Sequence, residues 1–260
     1  MIQHCLFAAL LACAATGRAE DFTVSPTAQP APTAPTAPRT PRARTARKPA
    51  APRSGAGKSR AGATLDFLRR DPDFTDLKGM PGVEVDLKYA GRDNFTGRDV
   101  YGDFRRAFLR RTAARKLKRA AALLRRRHPR WKIVVFDALR PAWAQPVLWS
   151  HVSGARRKYV ANPRLGSTHS FGMAVDAGLL DADGRPVDMG TGFDAFTPLS
   201  QPRLEGYYLR RRKLTETQAA NRAILRDVMT RAGFTQFPLE WWHFDALPQK
   251  EVRRRTKIVD

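Results

Sequence analysis

The sequence has little cysteine, little histidine and few acidic residues. Cys5 and Cys13 are its two cysteines, and both lie in the first thirteen residues. The chain after residue 13 can therefore form no disulfide and can offer no thiolate to a metal ion. A metal bound there must be held by histidine and carboxylate side chains, and the whole chain has only five histidines.

Acidic residues are about half as numerous as basic ones. The chain has 24 Asp and Glu against 47 Lys and Arg, which gives a formal net charge of +23. This balance favours contact with anionic material such as nucleic acid or a phosphate-bearing cell envelope. No reader motif or aromatic platform accompanies the basic residues, so nucleic-acid binding rests on charge alone and is not expected.

The first 19 residues are predicted to be a secretory signal peptide. Residues 2–15 are mostly apolar, and Gly17 and Ala19 are the small residues that a signal peptidase reads. The apolar run is too short to span a membrane as a helix, so no transmembrane segment is expected. Two other interpretations stay open: lipidation of Cys13, which ends a Leu-Leu-Ala-Cys sequence, or an incorrectly assigned start codon.

Residues 20–62 are predicted to be a disordered basic linker. From residue 22 the segment consists mainly of Pro, Ala, Thr, Arg and Lys, with no acidic residue. It has too few large apolar side chains to offset the entropy lost on folding. The linker is either a solvated spacer or a positive tether that holds the protein near an anionic envelope or wall.

Residues 63–260 are predicted to form a single catalytic domain of α+β class. Residues at helical spacing predict helices at 104–127, 141–151 and 215–232, the last with a capping box from Thr215 and Gln218. Apolar runs and alternation predict strands at 83–89, 131–136, 173–180 and 239–244. Because the order has no regular βαβ repeat, we expect a mainly antiparallel central sheet flanked by helices.

Two short segments contain the residues of a candidate metal site. His169 and Asp176 lie seven residues apart, and Glu240 lies three residues before His243. Two histidines and a carboxylate with one open position are a usual ligand set for catalytic zinc. Glu240 could then take a proton from water, provided that the chain bends near Trp241. Taken singly, each residue has a more ordinary interpretation: a surface histidine, a core histidine that is hydrogen-bonded to the backbone, or a salt-bridged carboxylate.

Arg140 is a further candidate because of its position. It follows a predicted strand and precedes Pro141, whose ring fixes the local backbone. A guanidinium held at a strand end can stabilise the oxyanion of a tetrahedral intermediate.

Six motifs in the chain resemble those of the zinc D-alanyl-D-alanine dipeptidases. They occur in the order of that family and cover about residues 80–245. Residues 138–139 are Ala-Leu, where Gly-Tyr is common in the family. The first motif is an opening signature, Asp-Leu-Lys-Tyr-Ala at 86–90 followed by Asp-Asn-Phe-Thr-Gly at 93–97. The others are Asp-Ala-Leu-Arg-Pro at 137–141, the Ser-x-His-x-x-Gly-x-Ala-x-Asp run at 167–176, Met-Gly-Thr-Gly-Phe-Asp at 189–194, the series from Asn221-Arg222 through Met229 to Gly233-Phe234, and Glu-Trp-Trp-His at 240–243.

The resemblance implies a role for each of eight residues. One Zn²⁺ per chain would be bound by His169, Asp176 and His243. The catalytic residues would be Glu240, as general base and acid, and Arg140, which steadies the tetrahedral intermediate. The substrate pocket would contain Asp194, which takes the free amino group of the substrate, together with Ser167 and Tyr89.

The expected function is hydrolysis of the D-Ala-D-Ala dipeptide by a secreted enzyme, periplasmic or envelope-associated. Two alternatives remain open. A D,D-carboxypeptidase or endopeptidase would act on peptidoglycan peptides, and a non-catalytic wall-binding protein would need no complete ligand set. The motif with His169 and Asp176 and the Glu-x-x-His motif alone indicate only the broader group of related peptidases.

Overall fold

The computed structural model describes residues 59–260. The predicted signal peptide and nearly all of the predicted linker lie outside the described residues, so the division of the chain stays a prediction. The first helix, α1 (Arg60–Arg70), begins three residues before the domain boundary expected at residue 63. It can begin there because the Ser59 hydroxyl accepts the N–H of Gly62 at 3.1 Å and caps the first turn.

The central sheet has five strands in the order β2-β4-β5-β7-β6. β2 and β4 pair in parallel, whereas the other three pairs are antiparallel. Together with the helices, this arrangement confirms the predicted α+β class. The strands of this sheet are β2 (Val83–Val85), β4 (Lys132–Asp137), β5 (Ala174–Leu180), β6 (Thr235–Gln236) and β7 (His243–Asp245), and a separate antiparallel pair consists of β1 (Phe74–Asp76) and β3 (Phe108–Arg110).

Helices flank the sheet, and several short 3₁₀ helices form the connections around the site. Among the described residues, no helix is both long and apolar enough to cross a membrane. The remaining α-helices are α2 (Arg111–Arg127), α3 (Gln145–Ser150), α4 (Glu205–Arg210), α5 (Glu216–Arg231) and α6 (Gln249–Arg255). The 3₁₀ helices are Lys88–Ala90, Ala142–Ala144, Gly154–Tyr159, Thr168–Phe171, Pro198–Ser200 and Pro202–Leu204.

The core lies where α2 packs against β4 and α5. Leu117 and Leu124 of α2, and Ile133 and Val135 of β4, are fully buried, whereas the opposite face of α2 carries arginine and lysine. Each such side chain contributes about 1.5–3 kcal/mol through burial. The amphipathic pattern therefore fixes which face of α2 covers the sheet.

The helix predicted at residues 104–127 starts too early. Residues Phe108–Arg110 form β3, and α2 begins only at Arg111. β3 pairs antiparallel with β1, where Arg110 lies opposite Phe74. Phe108 and Leu109 are both buried on successive positions, so tertiary pairing outweighs the local helical spacing.

The strand predicted at residues 239–244 also starts too early, because β7 begins at His243. Residues 238–242 form a turn and a bend, so the chain does bend at Trp241. The capping box of α5 is confirmed. The Thr215 hydroxyl accepts the N–H of Gln218 at 3.1 Å, and the Gln218 side chain accepts the N–H of Thr215 at 2.9 Å.

Candidate active site

Strand register brings three polar residues side by side. Asp137 at the end of β4 lies opposite Asp176 of β5, and Asp176 lies opposite His243 at the start of β7. Directly opposed residues on neighbouring strands have Cβ atoms about 5 Å apart. A register shift between Val135 and Asp137 aligns the first pair. The sheet thus forms one row of acid, acid and histidine from three distant parts of the sequence.

His169 reaches this row from the 3₁₀ helix Thr168–Phe171. The Ser167 hydroxyl accepts the N–H of His169 at 3.3 Å and begins the turn. Gly172 ends it at φ +68°, a left-handed conformation that favours glycine. A Cβ at Gly172 would lie 3.3 Å from the backbone nitrogen of Arg110, so this glycine also permits close packing.

The three predicted metal ligands form a small triangle. His169 Nε2 lies 3.1 Å from His243 Nδ1 and 3.3 Å from Asp176 Oδ1, and the latter two atoms are 3.0 Å apart. Ligand atoms at 2.0–2.1 Å from a tetrahedral zinc ion are separated by about 3.3 Å. The donor types and their spacing therefore fit a zinc site with a fourth position open.

The second nitrogen of each histidine ring has its own partner. His169 Nδ1 lies 2.8 Å from the carbonyl oxygen of Ala138, and His243 Nε2 lies 3.1 Å from Asp245 Oδ1. Donation of N–H to these oxygens leaves His169 Nε2 and His243 Nδ1 free to bind a metal. Asp245 was missed by the sequence analysis, although a residue two positions after His243 on a strand faces the same side.

Arg140 is held beside the triangle by Asp137, which is fully buried. Two guanidinium nitrogens donate to one Asp137 oxygen at 2.9 and 2.7 Å, and the Tyr101 hydroxyl donates to the other at 2.6 Å. A third nitrogen of Arg140 donates to Gln145 at 3.0 Å. The guanidinium lies 3.8 Å from the Asp176 carboxylate, so its charge faces the candidate metal site.

Asp194 is a buried carboxylate whose partner is a hydroxyl. The Tyr89 hydroxyl lies 3.0 and 3.2 Å from its two oxygens. Burial raises the pKa of Asp194 well above its ordinary value, and the nearby negative charge of Asp176 adds to this. Among residues 59–260, no cationic side chain lies within 4.0 Å of the Asp194 carboxylate. A cationic ligand group would therefore be stabilised there.

The loop that carries Asp194 is fixed by a buried arginine from α5. Arg222 donates to the carbonyl oxygens of Met189 at 2.7 Å and Leu199 at 3.0 Å, on either side of Asp194. Asp194 itself has φ +58°, which is uncommon outside glycine. Arg222 belongs to one of the motifs that resemble those of the dipeptidases, but no role was predicted for it. Its spacing from the buried Leu225 indicates a core-facing position on α5.

Glu240 enters the site from the bend before β7. It is only 5% exposed, and burial raises the pKa of its carboxyl well above the ordinary value. Because β7 begins three residues later, the bend at Trp241 and Trp242 lets Glu240 and His243 line the same cavity.

All eight predicted site residues line one cavity of about 300 Å³. This volume is at the lower end of the range for small-molecule sites. The residues come from separate strands, loops and 3₁₀ helices, so the fold brings together what is dispersed over 155 positions of sequence. They are Tyr89, Arg140, Ser167, His169, Asp176, Asp194, Glu240 and His243.

Comparison with known proteins gives the family. The family model described as D-ala-D-ala dipeptidase matches residues 70–259. The chain belongs to this peptidase family. The family comprises metallopeptidases, so the chain is a hydrolase, and the predicted family membership is confirmed.

Curated relatives cover most of the described part of the chain. A D-alanyl-D-alanine dipeptidase of Escherichia coli is 35% identical over 181 residues, or 68% of this chain and 87% of the relative. A Synechocystis protein of the same name is 30% identical, over 65% of this chain and 76% of its own length. One from Enterococcus faecalis is 30% identical, over 65% and 89% respectively.

Proposed function

We propose that this enzyme hydrolyses the free dipeptide D-Ala-D-Ala with the help of one zinc ion. Relatives at 30–35% identity are named D-alanyl-D-alanine dipeptidases. The observation that carries the proposal is a single cavity with two features: the triangle of His169, Asp176 and His243, and the buried Asp194 carboxylate. The first suits peptide hydrolysis and the second suits a substrate with a free amino group.

Selection of a free dipeptide follows from the electrostatics of Asp194. Its buried carboxylate is held by the Tyr89 hydroxyl and gains its cation when the ammonium group of the substrate binds. An internal peptide nitrogen has no such charge and would leave the carboxylate uncompensated. Ser167 lines the cavity, and this residue and the modest volume of the cavity also favour a short substrate.

His169, Asp176 and His243 would hold the zinc ion. Zinc at such a site supplies Lewis-acid chemistry, which makes water more acidic and polarises a carbonyl group. Asp245 and the Ala138 carbonyl orient the two imidazole rings so that the correct nitrogens face the ion.

Glu240 and Arg140 carry the proton transfer and the charge stabilisation. Glu240 takes a proton from the attacking water and delivers it to the departing amine of the second D-alanine. Burial raises the pKa of the Glu240 carboxyl above its ordinary value, so the carboxylate is a stronger base for the proton of water than an exposed one. Arg140, fixed by Asp137, donates to the oxygen on which negative charge develops in the transition state.

We also propose that the enzyme acts in the cell envelope. The apolar residues 2–15, followed by Gly17 and Ala19, support export, and the basic segment from residue 22 supports electrostatic retention near an anionic envelope or wall. Cleavage near residue 19 and lipidation at Cys13 are distinguished by the mass of the mature N-terminus from cell fractions.

A substrate panel tests the proposed activity. Purified enzyme with zinc should release D-alanine from free D-Ala-D-Ala and should leave N-acetyl-D-Ala-D-Ala almost uncut. Matched cleavage of both would indicate a D,D-carboxypeptidase instead. Cleavage of neither, by zinc-loaded and folded protein, would refute dipeptidase activity. L-Ala-D-Ala and D-Ala-L-Ala in the same panel report the stereochemical preference at each position.

A further inference from the structure

We propose that Lys158 recognises the free carboxylate of the substrate and so makes the enzyme selective for a C-terminal acid. This inference rests on the proposed dipeptidase function and extends it to the second end of the substrate. A free dipeptide is a zwitterion, and Asp194 accounts only for its ammonium group. The negative group at the other end needs a separate partner in the same cavity.

Negative charge on the wall of the cavity repels a ligand carboxylate at most positions. Four carboxyl side chains line it: Asp176, Asp194, Glu240 and Asp245. An anionic ligand group is therefore stabilised most strongly next to a cation. The Lys and Arg side chains that line this cavity, among residues 59–260, are Arg140 and Lys158.

The guanidinium of Arg140 already has hydrogen-bond partners within the protein. Two of its nitrogens donate to Asp137 and another donates to Gln145, and its charge lies between Asp137 and Asp176. A planar guanidinium with a fork used by one carboxylate has few N–H groups left for a second. Arg140 therefore suits the transient charge on the reacting carbonyl better than a permanent ground-state anchor.

Lys158, in contrast to Arg140, has an ammonium group without a carboxylate partner among residues 59–260. It is exposed at the rim, on the 3₁₀ helix Gly154–Tyr159, and no carboxylate of residues 59–260 lies within 4.0 Å of its ammonium group. Its Nζ lies 5.1 Å from the centre of the Tyr159 ring. The ammonium is available to a ligand carboxylate because no anionic partner within this distance already holds it.

The rim that carries Lys158 is well supported. Tyr159 stacks on Phe196 with ring centres 5.1 Å apart and an interplanar angle of 6°, and its hydroxyl accepts a hydrogen bond from Gln201 at 2.7 Å. Phe196 lies two residues after Asp194. The two candidate anchors for the substrate charges are thus joined through one aromatic contact, which limits changes in their separation.

The inference predicts a loss of affinity that depends on the substrate charge. Lys158→Met should lower kcat/KM for free D-Ala-D-Ala about tenfold, the size expected for one charge-assisted hydrogen bond. The loss should be mainly in KM, because the contact is equal in the ground and transition states. D-Ala-D-alaninamide, which lacks the carboxylate, should be cut equally well by wild type and by Lys158→Met.

Matched variants separate this role from a structural one. Lys158→Arg should keep the preference for acid over amide. Arg156→Met removes an exposed cation from the same 3₁₀ helix at a residue that does not line the cavity, and it should leave both substrates unaffected. Steady-state kinetics of the four proteins on acid and amide give the complete set of comparisons.

Two results overturn the inference while the dipeptidase function stands: Lys158→Met cuts the free dipeptide as well as wild type does, or loses acid and amide activity equally. If the wild type cuts neither free D-Ala-D-Ala nor D-Ala-D-alaninamide, both the proposed function and this inference are refuted. Preference for the acid, lost in Lys158→Met and kept in Lys158→Arg, supports both.

Discussion

Asp245 offers a test of the candidate metal site through a residue that is not itself a ligand. Its carboxylate lies 3.1 Å from His243 Nε2, on the side of the ring away from the ligand triangle. Asp245→Asn keeps an oxygen acceptor and nearly the same volume but removes the negative charge. The imidazole then becomes a weaker donor to a metal, and its ring orientation is less firmly fixed.

The expected size of the effect follows from this geometry. Loss of an outer partner of a metal-bound histidine typically costs 10–100-fold in metal affinity, or about 1.4–2.7 kcal/mol. The amide oxygen of Asp245→Asn can still accept the N–H of His243, so we expect this variant to lose about tenfold in zinc affinity. Asp245→Leu has no acceptor, so we expect its loss of zinc affinity to be about 100-fold. Competition between the protein and a chromophoric zinc chelator measures the Kd directly, without reference to activity.

A matched control completes the design. Asp183→Asn removes an exposed carboxylate that pairs with Arg185 on a turn, and it should leave the zinc Kd unchanged. Thermal unfolding of the metal-free proteins checks that each variant is folded. Zinc affinities of folded Asp245→Asn and Asp245→Leu equal to that of wild type would refute the role of Asp245 as the outer partner of a metal-bound His243.

Three further predictions concern the cavity. Glu240→Gln should keep zinc and lose at least a hundredfold in kcat. Because burial raises the pKa of Glu240, the metal-free fold loses stability as pH rises from the unfolded pKa to the raised one. Glu240→Gln should therefore raise Tm at neutral pH, by about 2–4 °C per kcal/mol, and the gain should vanish below about pH 4. Asp194→Asn should raise KM for the free dipeptide at least tenfold in steady-state assays, and an unchanged KM would exclude an ammonium anchor. Arg222→Met should lower Tm by several degrees, because two buried carbonyl groups lose their charged donor. It should also raise KM, because the loop that carries Asp194 is disturbed. A normal KM together with lower stability would show that Arg222 contributes to folding alone.

The candidate ligands could be predicted from the sequence because metal chemistry restricts the choice so strongly. With no cysteine after residue 13 and five histidines in all, the candidate histidine ligands were few, and the motifs that resemble those of the dipeptidases selected the histidines and the carboxylate. The bend at Trp241 could also be inferred, since Glu240 and His243 face opposite sides of a flat strand. These conclusions depend on residue type and local period, which the sequence states directly.

The supporting residues could not be predicted in the same way. Asp137 becomes the partner of Arg140 within a row that depends on the register of β4 against β5 and of β5 against β7. Arg222 is significant only because the loop around Asp194 packs on α5. The start of α2 was misplaced for a similar reason, since Phe108 pairs with a strand more than thirty residues away. Non-local pairing carries no local signal.

We propose that one zinc ion held by His169, Asp176 and His243 allows this enzyme to cleave D-Ala-D-Ala. The most direct test of this proposal is a titration of chelator-stripped, folded protein with zinc while D-alanine release is measured. We predict no release without metal and a linear rise in activity that ends at one zinc per chain. Full activity of the stripped protein, or no release at any zinc concentration, would contradict a role of zinc at this site in cleavage.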